Sequence, residues 1–162
     1  MPIVYEATVR TGFCGRDAIG NDRSILDAKS LASPDGIRLQ KVLDKIAPWA
    51  TSAAACVSGI SESKLVLAAA TLNYMQPGSE RPAHIDPGTA SVVVSVSLRG
   101  NCQVRFLRHL HRSSLDEPPV EIGLHTGSVM SFSGVVRNEW WHQICRVTRP
   151  RVAAVYRYVL GS

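Results

Sequence analysis

The sequence predicts a mainly β fold of the antiparallel sandwich or jelly-roll kind, with its helix confined to the N-terminal half. Three observations carry that expectation. From Lys64 onward the apolar runs have strand length and are broken by Gly, Pro, Asn and Ser. The clearest stretch with helical spacing lies upstream of them, so helix precedes strand rather than alternating with it, which disfavours a parallel βαβ arrangement. The 162 residues suit one domain, long enough to bury a core without metal or disulfide staples.

Residues 3–9 fit a short strand, followed by a Gly- and Asp-rich loop through Asp22. A helix is announced at Ser33-Pro34-Asp35, where Ser33 can cap and Pro34 suits the first helical position. Ile37, Leu39, Val42, Leu43 and Ile46 then recur at helical spacing. Pro48 is expected to end it. The Ala- and Ser-rich stretch 50–63 fits neither period, whereas 64–75 is apolar and extended toward the turn Gln76-Pro77-Gly78. Further strands are expected around His84 and over 90–98, 103–110, 120–125, 128–133, 140–147 and 151–160. This divides the chain into an N-terminal extension, 1–69, and a β core, 70–162. The loop 112–119, with its Asp116-Glu117-Pro118-Pro119 run, is the one polar insertion of note and could overhang a barrel mouth.

A 45% hydrophobic and 19% charged composition is that of an ordinary globular protein. No stretch approaches the roughly 18 apolar residues of a membrane span, and residues 1–10 lack the pattern of a secretory signal. Cytoplasmic residence is the expectation. Cys14, Cys56, Cys102 and Cys145 form no C-x-x-C pair, so neither a zinc ribbon nor a disulfide framework is indicated, and reduced thiols are expected. Eighteen Lys and Arg against thirteen Asp and Glu give a net charge of +5. That balance favours an anionic partner, whether nucleic acid, metabolite or cofactor carboxylate.

The most informative residues are His84-Ile85-Asp86. Two residues apart on an extended segment, the imidazole and the carboxylate point to the same face and can grip one metal together. His142, arriving from a later strand, would complete a set of two histidines and one carboxylate. Such a set leaves adjacent coordination positions open and suits oxygen-activating Fe(II). His109-Leu110-His111 is a rival pair, but Arg105, Arg108 and Arg112 around it disfavour a cation and fit a basic strand and loop. His125, before Thr126-Gly127, reads as a turn residue. Trp140 and His142 should share the interior face while Trp141 faces out. No Ser-His-Asp order with a nucleophile elbow and no phosphate-cradling Gly loop appears.

The surrounding motifs run in a definite order. Asn73-Tyr74-Met75-Gln76-Pro77-Gly78 leads into His84, and the strand Val92-Val93-Val94-Ser95-Val96-Ser97-Leu98-Arg99-Gly100 follows. Gly127 to Gly134 then precedes Trp140-Trp141-His142-Gln143-Ile144, and Arg151 and Arg157 close the chain. Over roughly residues 70–160 this order resembles the AlkB-like branch of the Fe(II)/2-oxoglutarate dioxygenases, whose core is a double-stranded β-helix of jelly-roll type. The resemblance implies Fe(II) on His84, Asp86 and His142, with 2-oxoglutarate and O2 as cosubstrates.

Arg151 and Arg157 lie an even number of residues apart on a strand-like segment, so both guanidinium groups share a face, and the planar fork of Arg matches a carboxylate. The family holds 2-oxoglutarate with such a pair. Carried over, Arg151 grips the distal carboxylate and Arg157 lies nearer the metal, with Asn73 and Tyr74 as further cosubstrate-binding residues. Met75 stands where the branch usually has a tyrosine, Tyr74 being a substitute from a shifted register, and Ala153 stands where it has an asparagine. The short interval from His142 to Arg151 is closer to that of prolyl-hydroxylase-like members.

The implied activity is hydroxylation or oxidative dealkylation. The basic balance and the AlkB-like order point to a modified nucleobase in nucleic acid. Arg105, Arg108 and Arg112, with Arg81 or Arg137, would then rim the barrel mouth, and a base would enter beside Trp140 or Trp141. Hydroxylation of a small molecule, amino acid or peptide is the alternative. A different class is a non-catalytic, cupin-like metal- or ligand-binding protein, which has no need of the arginine pair.

Overall fold

The computed structural model describes residues 4–10, 24–25, 34–86, 88–108 and 118–161. In chain order the elements are β1 (Val4–Arg10), β2 (Ser24–Ile25), α1 (Pro34–Ser58), a single tight turn (Glu62–Lys64), β3 (Leu65–Met75), β4 (Arg81–His84) and β5 (Val92–Arg99). They continue with β6 (Cys102–Leu107), β7 (Val120–Leu124), β8 (Val129–Ser133), α2 (Gly134–Glu139), β9 (Trp141–Ile144) and β10 (Arg151–Leu160). The expected cap Ser33, the loop through Asp22, His109 to Arg112 and most of the 112–119 insertion lie outside the described residues. The line between 69 and 70 falls inside β3.

The strands form two sheets, ordered β2-β1-β3-β10-β5-β8 and β4-β9-β6-β7. Within them β3 pairs with β10, β4 with β9, β5 with β8 and β6 with β7, each antiparallel. First joins last and the pairing nests inward, as it does when one long antiparallel ribbon is rolled across two sheets. That is the jelly-roll, double-stranded β-helix arrangement. β1 widens the larger sheet by pairing antiparallel to β3.

Burial follows from this layering. Six consecutive residues of β5, Val92 to Ser97, are buried. The strand is covered on both faces, with Val92, Val94 and Val96 packed in the cluster beneath α1 and Val93 in the cluster between the sheets. A strand covered twice reads as a continuous apolar run rather than an alternating one. In β10 Ala154, Tyr156 and Tyr158 belong to the α1 side, and Val155 to the inter-sheet side with Val104, Phe106, Leu124 and Phe132.

α1 does not stop at Pro48 but runs ten residues past it, to Ser58. Proline removes a backbone donor and crowds the preceding turn. Here tertiary packing outweighs that cost, because Leu43 before Pro48 and Ala50 and Ala54 after it are 1%, 0% and 0% exposed against the sheet. The Tyr156 hydroxyl donates to the Leu43 carbonyl at 2.8 Å, tying the helix to β10 just ahead of the proline. The ambiguous stretch 50–63 is thereby mostly helix. α2 was not foreseen, and β6 and β9 are shorter than the expected 103–110 and 140–147.

Candidate metal centre

β4 carries His84 at its end and β9 carries His142, and the antiparallel register sets these two residues opposite each other. Cross-strand partners bring side chains close, and the imidazole centroids lie 4.3 Å apart. Asp86 follows two residues after His84. Its carboxylate oxygens are 3.8 Å from His84 Nε2 and 4.0 Å from His142 Nε2. One ligand atom from each residue lies within 4.8 Å of the others, so the three could hold a metal ion.

Each side chain is prepared for that task. His84 Nδ1 lies 2.8 Å from the Pro82 carbonyl, which can only accept, so Nδ1 carries the proton and the Nε2 lone pair faces the centre. His142 is wedged beside Phe132 and Phe106, at centroid distances of 5.3 and 6.0 Å. Burial holds its pKa down at about 4 despite the attraction of Asp86, so the ring is neutral near pH 7. His84 is lowered too, by burial and then by the Arg81 charge. For Asp86 burial works upward, but the Arg157 guanidinium and the two imidazoles bring the carboxyl down to about 2. Two neutral imidazoles and one carboxylate are the ligating forms a divalent ion requires, and this donor set fits one.

The triad sits in a cavity between the sheets. Asn73, Arg81, Ser95, Arg151 and Arg157 supply the rest of its polar lining, and Val93, Val104, Met130, Phe132, Ile144 and Val155 its apolar lining. Arg157 donates to Asp86 Oδ1 and to Thr71 Oγ1, both at 3.3 Å, so it braces the carboxylate from β10. Arg151 is only 1% exposed. Its Nε and the Asn73 Oδ1 are buried without a hydrogen-bond partner. Such orphaned atoms are uncommon in folded proteins and point to a polar ligand or water.

Of the residues singled out in the sequence, Asn73, His84, Asp86, His142, Arg151 and Arg157 line one cavity. Tyr74 is a correction. β3 pairs regularly with β1 and β10 around it, so alternation sends Tyr74 to the face opposite Asn73, and it does not line the cavity. Arg81 and Arg137 are also misplaced by the rim reading. Arg81 lies inside the cavity, and Arg137 is buried in α2, donating to the Gly88 carbonyl at 3.0 Å. Of the other expected rim residues, Arg105 is ion-paired to Glu121 at 2.6 Å and Arg108 stacks over Trp140 at 5.3 Å. Trp140 packs on the inter-sheet cluster. His125 is exposed in its turn.

The place of Arg81 was hidden because it lies three positions before His84, an odd spacing that puts side chains on opposite faces of a regular strand. The β4 to β9 register shifts between Arg81 and His84, and that irregularity turns both inward.

No family model matches the chain, and no curated protein does. Among solved structures it is similar to OsALKBH1, with a TM-score of 0.49 and 18% identity over 57% of this chain and 50% of that one. An oxidoreductase of the 2OG-Fe(II) oxygenase family from Burkholderia pseudomallei gives 0.47 and 21%, over 59% and 45%. The DMSP lyase DddQ from Ruegeria pomeroyi gives 0.41 and 19%, over 58% and 38%. This chain spans half or less of the length of each. The fold stands on the strand order described above.

Proposed function

We propose that the chain is a non-haem Fe(II)- and 2-oxoglutarate-dependent dioxygenase that hydroxylates, or oxidatively dealkylates, its substrate. The observation that carries this reading is the sharing of one cavity by the His84, Asp86 and His142 set and two arginines on β10. Metal binding alone accounts for the triad. It does not account for Arg151, a buried guanidinium on the cavity wall whose Nε has no hydrogen-bond partner.

Fe(II), when bound, supplies the oxygen chemistry that couples decarboxylation of 2-oxoglutarate to succinate with oxidation of a substrate C–H bond. The chain supplies position and dryness. His84, Asp86 and His142 would hold the ion, and a set of only three protein ligands would leave positions for exchangeable ligands. Arg151 binds the distal carboxylate of 2-oxoglutarate through its fork, and Asn73 adds an amide beside it. Arg157 keeps Asp86 ionised and oriented, a task resembling that of the outer partners that tune metal ligands elsewhere. Val93, Val104, Met130 and Phe132 exclude water around the reacting atoms.

For the primary substrate, a small molecule, amino acid or peptide is the better reading. With Arg81 in the cavity, Arg137 buried and Arg105 neutralised by Glu121, the described mouth is less basic than a nucleic-acid surface requires. The test is calorimetric titration of 2-oxoglutarate into the Mn(II)-loaded protein. Saturable binding by the wild type that Arg151→Ala abolishes supports the proposal, and equal binding by the variant contradicts it.

A further inference from the structure

We propose that Arg81 competes with a divalent ion for the Nε2 lone pair of His84 and must be displaced from it for the ion to bind there. The inference rests on the metal-centre reading above and adds a third arginine to it. Arg81 Nε donates to His84 Nε2 at 3.1 Å. An imidazole nitrogen offers one in-plane lone pair. His84 has no second acceptor to give, because Nδ1 is committed as a donor to the Pro82 carbonyl at 2.8 Å. The lone pair that would bind the metal is therefore the one that Arg81 holds, and the two states exclude each other.

The guanidinium is a reasonable stand-in for a cation. It places positive charge next to Asp86, which attracts it, and within reach of Arg157, which repels it. Its backbone is anchored by pairing with Ile144 on β9, so displacement swings the side chain and leaves the strand in place. Arg157 is differently engaged, donating to Asp86 Oδ1 and to Thr71 Oγ1, both at 3.3 Å. Loading thus exchanges one cation for another at His84. The consequence is an affinity for divalent metal set below what the three ligands alone would give.

Two readouts test this without any turnover. The first is Mn(II) affinity by calorimetry for the wild type, Arg81→Met and Arg81→Gln, with thermal melts to establish folding. Loss of a hydrogen bond between a charged donor and His84 should tighten Mn(II) binding by about tenfold or more in both variants. The second is the Arg81 Nε–H signal in a nitrogen-resolved proton spectrum, assigned by its absence in Arg81→Met. It should be protected from exchange in the metal-free protein and shift or vanish on saturation with Zn(II). Unchanged or weaker Mn(II) affinity in folded variants would overturn the role of Arg81 while leaving the metal centre standing, as would an Nε–H signal that Zn(II) does not move. Absence of Mn(II) binding in all three proteins would overturn the metal centre itself, and this inference with it.

Discussion

Asp86 shows how much a single residue depends on its neighbours. Its carboxylate is almost wholly buried, faces two imidazoles and accepts from Arg157. Burial alone would favour the neutral acid, and the surrounding cation reverses that preference. Asp86→Ala or His84→Ala removes one of three protein ligands. Loss of an outer partner costs roughly 10- to 100-fold in metal affinity, so loss of a ligand should exceed about 100-fold, read by Mn(II) calorimetry with the fold intact by circular dichroism. Arg151→Lys keeps the charge but loses the fork. It should raise the 2-oxoglutarate requirement by about tenfold or more while Mn(II) affinity stays within about twofold. At this scale the sequence was legible where spacing along one strand decides the face, as for Arg151 with Arg157 on β10, whereas Asp86 lies two residues past the end of β4 and Trp140 one residue before β9. Alternation also decides against Tyr74, which sits one residue from Asn73 and so on the other face. Arg81 was illegible because it sits across a register shift that no local pattern announces.

The elements were set by local signals when those signals agreed with packing. The turn at Gln76-Pro77-Gly78, the run of valines in β5 and the breaks around β7 and β8 all lie where Gly, Pro and apolar runs put them. Pro48 is the exception, since its local meaning as a helix breaker was overruled by Leu43, Ala50 and Ala54 burying against the sheet. That burial is a relation between distant segments and leaves no mark in the helix sequence beyond small, apolar residues. The Tyr156 to Leu43 bond belongs to the same contact. Tyr156→Phe should lower unfolding free energy by about 1 kcal/mol, measured in urea, because one buried hydrogen bond is lost and little volume changes. Gly100 joins β5 to β6 with a positive φ of 75°, and a Cβ there would collide with the Pro150 carbonyl next to Arg151. Gly100→Ala should therefore cost stability and weaken 2-oxoglutarate binding together, since the strain is delivered to the start of β10.

For the molecule as a whole, the order of strands could be anticipated only as a class. Antiparallel β-structure after a helix was readable from run lengths, whereas the nesting of β3 with β10 down to β6 with β7 is a property of the rolled ribbon. That nesting brings the two ends of the sequence motif together, placing Arg157 from the end of the chain against Asp86 from its middle. Net charge was a poorer guide. The +5 balance includes arginines spent inside the cavity, in α2 and in the Glu121 ion pair, and these cannot also bind phosphates. A mixed-sequence single-stranded oligonucleotide should accordingly bind weakly, with little change between low and moderate salt, where a phosphate-binding surface would show a steep slope. A steep loss of affinity with salt would return preference to a nucleic-acid substrate.

The central claim is that one cavity joins a metal triad to a 2-oxoglutarate clamp. Its most direct test is succinate release from 2-oxoglutarate under Fe(II), O2 and ascorbate, with and without a panel of small-molecule, peptide and nucleic-acid substrates. Succinate should form with the wild type, require both Fe(II) and O2, and disappear in Asp86→Ala. No succinate from the wild type under any of these conditions, or an undiminished rate in Asp86→Ala, would contradict the account.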